Sequence, residues 1–239
     1  MFEPLKNKNI MVTGATSGIG RVLTERLSLL GCNLAFCGRS EQKMQQVVTN
    51  LATKPSQNYY QTFDITDYAL ISNFVEKAIS QLGDIDILIN CAGVNSSREA
   101  IKDLDINDME WMLKVNMLAP FVFMQDTYNK SMKAQGKGMI INVMSTVCSF
   151  SNEGIGGYTA SKSAFDALTK VFRKELRSEG IKVCAIYPGG VDTPFRESKR
   201  PQYLDPNSVV DSILHMATQS GNACIDELVV RPMIEKNYS

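Results

Sequence analysis

The glycine pattern between residues 13 and 20 constrains this chain more than any other feature. A short apolar run, Ile10 to Val12, leads directly into Thr13-Gly14-Ala15-Thr16-Ser17-Gly18-Ile19-Gly20. A helical pattern follows, in which Val22, Leu23, Leu27 and Leu30 recur at three- and four-residue steps before Gly31 gives a stop signal. Glycines at such a strand-to-helix turn let the backbone bring its N–H groups close to a phosphate or pyrophosphate at the helix N-terminus. Taken alone, the same loop also reads as a glycine-rich turn that binds nothing.

The rest of the chain repeats the alternation. Apolar runs of strand length occur at Leu34 to Cys37, Ile85 to Ile89, Met139 to Val143, Val183 to Ile186 and Leu228 to Val230, separated by longer segments of helical period. Parallel neighbours need crossovers, and runs apolar on both faces need cover on both faces. The expected fold is therefore α/β, a doubly wound parallel sheet of about seven strands with helices on both faces, Rossmann-like. No long linker, repeat or low-complexity tract divides the sequence, so residues 1–239 are read as one domain. The least regular stretch is a polar loop from Thr193 to Asn207 that carries Pro194, Pro201 and Pro206.

Composition narrows the function classes. Twenty-five basic residues balance twenty-five acidic ones, so no overall field favours nucleic acid or an anionic membrane. The start, Met1 to Lys8, is polar and lacks the apolar core and cleavage site of a signal peptide, and no stretch approaches a membrane span. These features lead to an expected cytoplasmic location. Cysteines 32, 37, 91, 148, 184 and 224 are scattered through apolar runs without C-x-x-C pairs, so no metal site is expected and the thiols are read as reduced.

One pair of residues carries acid–base chemistry. Tyr158 and Lys162 are one helical turn apart and share a face. A free phenol titrates near ~10, and an adjacent ammonium favours its phenolate and brings proton exchange toward the working range.

Together with the loop T-G-x-x-x-G-x-G, which differs from the commoner G-x-G-x-x-G, these residues give the chain a strong resemblance to the short-chain dehydrogenase/reductase family. Other family marks follow in order: Asp64-Ile65 after the third strand, Asn90-Cys91-Ala92-Gly93 at the end of the fourth, and Asn116 in the next helix. Then come Ser145 after the fifth strand, Tyr158-Thr159-Ala160-Ser161-Lys162 opening a long helix, and Pro188-Gly189 after the sixth. The resemblance runs from about Lys8 to Val230, and departs at Cys91, where the family usually has a second Asn.

The resemblance implies a catalytic set of Ser145, Tyr158, Lys162 and Asn116. Ser145 would bond the substrate oxygen, and Lys162 would also hold the nicotinamide ribose. Asn116 would hold a helix irregularity and a water that links Lys162 to solvent. It implies cofactor contacts from Gly14, Ser17, Gly18, Ile19 and Gly20. Asp64 and Ile65 would lie at the adenine, Asn90, Ala92 and Gly93 at the adenosine ribose, and Pro188, Gly189, Val191 and Thr193 at the nicotinamide end.

Arg39 points to NADP rather than NAD. No carboxylate lies between Cys32 and Ser40, and the guanidinium suits a 2′-phosphate. Glu41 remains close enough to take a ribose hydroxyl in a different turn, Ser17 stands where many NADP-using relatives carry a second basic residue, and Arg39 could also be a solvated charge or merely stack on adenine.

The expected substrate is a small-molecule carbonyl or secondary alcohol, with 3-oxoacyl thioesters on a carrier, sugars, steroids and hydroxy acids among the family's candidates. It would enter over Val94 to Ser97, Ser145 to Cys148, Ile155 and the loop after Thr193. There Phe195 faces either a ligand or a core edge, and Arg196, Lys199 and Arg200 make the lid locally basic. The short polar lid leans toward a small or polar compound. The resemblance further implies a homodimer or homotetramer. The competing reading is a non-catalytic NADP(H)-binding sensor or scaffold, which would be expected to have lost Tyr158, Lys162 or Ser145. The sole histidine, His215, is read as an ordinary helix residue.

Overall fold

Strand β1 (Asn9–Thr13) lies near the centre of a seven-stranded sheet in a computed structural model that describes residues 5–51, 56–195 and 198–236. Met1 to Pro4 of the polar start, and Arg196 of the lid, lie outside those residues. The remaining strands are β2 (Asn33–Gly38), β3 (Asn58–Thr62), β4 (Ile87–Asn90), β5 (Gly138–Val143), β6 (Ile181–Pro188) and β7 (Glu227–Val230). Their order is β3-β2-β1-β4-β5-β6-β7, and every pairing is parallel. This is the doubly wound sheet expected from the sequence.

Period-two alternation sends neighbouring residues into opposite layers. Ile10 and Val12 join the layer that holds Leu23 and Leu27 of α1 (Gly18–Leu29), Met44 and Val47 of α2 (Glu41–Asn50), and Val209 and Ile213 near the C-terminus. Met11 points into the other layer, with Phe74 of α3 (Tyr68–Leu82) and further helices placed below. Because both faces are covered, the central strands are mostly apolar, and the buried Asn90 of β4 pairs with Asn142 of β5.

The edges obey a different rule. In β3, Asn-Tyr-Tyr-Gln-Thr is only partly covered, so its sequence is not an apolar run. Aromatic contacts anchor it instead, Tyr60 stacking on Phe36 at 5.6 Å and Tyr59 on Phe74 at 5.4 Å. Ile85 is buried yet precedes β4, because its N–H donates to Ser131 Oγ at 2.8 Å rather than joining the ladder.

After β4 the chain forms α4 (Ile106–Leu113), a π-turn (Lys114–Leu118), α5 (Ala119–Thr127), a second π-turn (Tyr128–Met132) and α6 (Lys133–Gln135). The long helix α7 (Gly156–Leu176) follows β5, and α8 (Pro206–Ala217) follows β6. The polar loop is shorter at its far end than its prolines suggest. Pro206 occupies the first turn of α8, where its missing N–H costs nothing, and Asp205 caps that turn by accepting from Asn207 N at 2.7 Å. Among the described residues no helix is long and apolar enough to cross a membrane, and no group of side chains is placed to hold a metal. His215 is exposed near the end of α8.

Candidate active site

The carboxyl ends of β1, β4, β5 and β6 open into one cleft of about 900 Å³. It lies where the strand order reverses between β1 and β4, the position at which open α/β sheets bind ligands.

At one end of the cleft the glycine loop enters α1. Gly14 and Gly18 have φ of +70° and +52°, backbone that favours glycine. A Cβ on Gly14 would stand 2.8 Å from Ala92 Cα, and one on Gly20 only 2.3 Å from Gly14 O. The loop therefore stays bare and tightly folded. Ser17 precedes α1 without giving it a side-chain cap. A shelf of main chain at a helix start, open to a cleft of this size, fits the pyrophosphate of a dinucleotide.

The turn after β4 holds without the family's second asparagine. Thr13 Oγ1 accepts from both Cys91 N (3.1 Å) and Ala92 N (3.2 Å), fixing the segment that Gly93 continues. Cys91 has burial as the larger influence, which pushes its thiol up to about 12.

Ser145, Tyr158 and Lys162 all line the cleft. Ser145 follows β5 in extended conformation and caps a short 3-10 turn, its Oγ accepting from Val147 N at 3.3 Å. Tyr158, in the first turn of α7, is buried in a small cluster with Met112 and Val147, with Val94, Leu104 and Ile155 packed against it. The ring of Phe195, from the loop after β6, lies 5.7 Å from that of Tyr158.

Lys162 is only 4% exposed. Its Nζ donates to Val143 O at 2.8 Å, and burial lowers its pKa from 10.5 to about 8. A Cβ on Gly93 would come within 3.4 Å of this nitrogen, so the glycine leaves room for the ammonium.

Asn116 stands behind the wall rather than on it. It lies in the first π-turn, its Oδ1 accepting from Val94 N (2.8 Å) and its Nδ2 donating to Val94 O (2.8 Å) and Ser161 Oγ (2.9 Å). The helix irregularity expected at this residue is present, and the asparagine ties the Val94 segment to α7. π-Turns inside α-helices occur frequently at functional sites. Asn90 is likewise off the cleft, since its Nδ2 donates to Asn142 Oδ1 at 2.9 Å and the residue is buried.

The other expected cofactor positions, Ile19, Arg39, Asp64, Ile65, Ala92, Pro188, Gly189, Val191 and Thr193, all reach the cleft. Asp64 Oδ1 accepts from Thr66 N at 2.9 Å and Thr66 Oγ1 at 2.8 Å, while Asp67, not Asp64, caps α3. Glu41 has other partners, Gln45 Nε2 at 2.7 Å and Thr62 Oγ1 at 2.5 Å, and does not line the cleft. Of the residues expected at the substrate mouth, Val94 to Ser96, Ser145 to Val147, Ile155, Pro194 and Phe195 line it; Ser97, Cys148, Lys199 and Arg200 do not.

Several cleft residues carried no motif. Lys43, in the first turn of α2, lies on the wall with Arg39 and Ser40, and Trp111 of α4 lines the same cleft. Helical spacing places Trp111 one turn from Val115, also on the wall. Tyr203 and Glu235 come from the lid and the C-terminal segment, and Glu235 Oε1 accepts from Gly190 N at 2.6 Å. No spacing rule reaches these last two, since only folding brings the chain's end to β6.

Comparison with known proteins agrees with this geometry. Residues 8–204 match the family model described as short chain dehydrogenase. An uncharacterized oxidoreductase of Staphylococcus epidermidis is 32% identical over 232 residues, covering 96% of this chain and 99% of that protein. The alcohol dehydrogenase of the archaeon Thermococcus sibiricus, complexed with 5-hydroxy-NADP, superposes with a TM-score of 0.88 at 25% identity, covering 96% of this chain and 98% of the other. A metagenomic short-chain oxidoreductase in complex with NADP gives a TM-score of 0.85 at 25% identity, covering 96% of this chain and 99% of its own. With fold, glycine loop and cleft on the same pattern, the chain belongs to the short-chain dehydrogenase family of oxidoreductases.

Proposed function

We propose that this enzyme transfers hydride between NADP(H) and a small carbonyl compound or secondary alcohol, with Tyr158 as the general acid and base. The observation that carries the reading is the buried Lys162, one helical turn from Tyr158 and on the same cleft wall as Ser145. An ammonium held in a nearly dry wall is stabilised by negative charge nearby, and a phenolate at residue 158 supplies it. The phenol then releases a proton to a carbonyl oxygen during reduction, or takes one from an alcohol during oxidation. Ser145 Oγ donates to the same oxygen as charge develops there. The bound nicotinamide supplies the hydride, while the chain supplies position, proton and field.

Asn116 acts from behind by fixing Val94 and Ser161, and Lys162 has the further task of bonding the nicotinamide ribose. The glycine loop receives the pyrophosphate, Asp64 and Ile65 the adenine, Ala92 and Gly93 the adenosine ribose, and Gly189, Val191 and Thr193 the nicotinamide amide. NADP is favoured over NAD by Arg39 and Lys43 at one corner of the cleft, and by the engagement of Glu41 with Thr62 and Gln45. The two structural relatives solved with NADP or its hydroxy derivative support the same choice.

At the substrate end the wall carries Asn95, Asn152, Glu153 and Glu235. Asn95 Oδ1 is buried without a hydrogen-bond partner, an acceptor that a substrate hydroxyl or amide would satisfy. This favours a small polar carbonyl compound over a steroid. The reading also includes a cytoplasmic location and a homodimer or homotetramer, which light scattering tests directly.

The deciding experiment follows absorbance of NADPH and NADH against a panel of carbonyl compounds, with Tyr158→Phe alongside. The reading expects faster turnover with NADPH on small polar ketones or aldehydes, and loss of at least about 100-fold in Tyr158→Phe, within the range that general acid–base catalysis supplies. Undiminished turnover in that variant overturns the assignment, and tighter binding of NADH overturns the cofactor choice.

A further inference from the structure

Arg39 poses a physical difficulty that its neighbour resolves. The side chain is exposed at the end of β2, and an unanchored arginine gives up rotamer freedom when it binds a phosphate. Its guanidinium carbon, however, lies over the indole of Trp111, 6.0 Å from the ring centroid. Trp111 is half-buried on α4 and lines the same cleft. The contact therefore joins the tip of β2 to a helix that follows β4, across the outer end of the site. Guanidinium over an indole face is a favourable cation–π pairing, and it uses none of the N–H donors that a phosphate would take.

We propose that Trp111 is a positioning residue for cofactor choice: it holds the Arg39 guanidinium ready for the 2′-phosphate of NADP and contributes little to binding of NAD. The inference rests on the dinucleotide reading above and adds a residue that no glycine-loop or catalytic motif marks. A merely structural indole would lower affinity for both dinucleotides alike. One acting through Arg39 lowers affinity for the phosphorylated form alone.

The test measures equilibrium binding of NADPH, NADH and adenosine 2′,5′-bisphosphate by calorimetry. The proteins are the wild type, Trp111→Leu, Trp111→Phe, Arg39→Ala, and the double variant Arg39→Ala with Trp111→Leu. Trp111→Leu is expected to weaken NADPH and the bisphosphate by roughly threefold, the scale of an exposed cation–π contact, with NADH affinity unchanged. Trp111→Phe keeps a ring face and retains most of the affinity. In the Arg39→Ala background the leucine substitution has no further effect. Since Trp111 is the only tryptophan in the chain, its emission is expected to change when the bisphosphate binds to the wild type. Equal weakening of NADPH and NADH, or the same loss with Arg39 already removed, overturns the inference while the dinucleotide reading stands. Failure of the wild type to bind either dinucleotide removes that reading and this inference with it.

Discussion

Replacing Lys162 by methionine is expected to destroy turnover and, at neutral pH, to leave the cofactor-free protein at least as stable as the parent. The magnitude follows from the burial. Desolvation lowers the folded-state pKa from 10.5 to about 8, and each unit is worth ~1.4 kcal/mol, so the charged amine opposes folding by about 3 kcal/mol below pH 8. Methionine removes that penalty but leaves Val143 O without its 2.8 Å donor, a loss of about 1–3 kcal/mol. At pH 7 the two leave a net gain of roughly 0–2 kcal/mol for the variant.

The pH dependence separates the terms. Between pH 8 and 10.5 the folded chain has released this proton and the unfolded chain still holds it. The unfolded state then binds more protons, and the stability traceable to Lys162 rises with pH. Across this window the variant's advantage is expected to shrink by about 3 kcal/mol and to change sign near pH ~9, since the missing hydrogen bond persists while the desolvation penalty fades. Reversible urea unfolding of both proteins at pH 7, 8, 9 and 10 gives the difference directly, with other titrating groups common to both. A difference that stays flat with pH refutes the burial argument, as does a variant less stable by more than about 3 kcal/mol at pH 7.

Other substitutions probe the parts around it. Gly20→Ala places a Cβ 2.3 Å from Gly14 O, and the loop has to distort; NADPH affinity is expected to fall at least about tenfold by calorimetry, because the pyrophosphate shelf depends on that backbone. Asn116→Ala frees Val94 N, Val94 O and Ser161 Oγ from their 2.8–2.9 Å bonds, with an expected loss of about 2–3 kcal/mol in urea unfolding and a fall in kcat. Phe195→Ala removes a half-exposed ring from Tyr158; unfolding free energy is expected to move by less than about 0.5 kcal/mol, while KM for the carbonyl substrate rises.

Legibility in the sequence tracks burial. The central strands β1, β2, β4, β5 and β6 are covered on both faces, so they stand out as apolar runs, whereas edge strand β3 reads as Asn-Tyr-Tyr-Gln-Thr and is placed only by the Asp64-Ile65 pair after it. The end of the lid is hard to place because Pro206 starts a helix as readily as it ends a loop. Motif spacing brings Ser145, Tyr158 and Lys162 to one wall, yet it also marks Asn90 and Asn116, which serve from behind by fixing neighbouring segments. Lys43, Trp111, Tyr203 and Glu235 give no signal, since their nearness to the cleft arises from crossovers that sequence distance conceals.

Those crossovers explain how one chain brings a bare glycine shelf and a buried lysine to the same cleft. β1 sends its helix to one face of the sheet, and β4 and β5 send theirs to the other, so the two layers part at the carboxyl ends of β1 and β4. The first layer supplies α1, which begins on Gly18 and Gly20. The second supplies α7, whose first turn carries Tyr158 and whose second carries Lys162. The cleft across that gap has the glycine loop at one end and the Tyr158–Lys162 pair at the other. The second layer alone holds the charge that burial disfavours, and there the buried bonds of Asn116 to Val94 and Ser161 stiffen the wall against rearrangement.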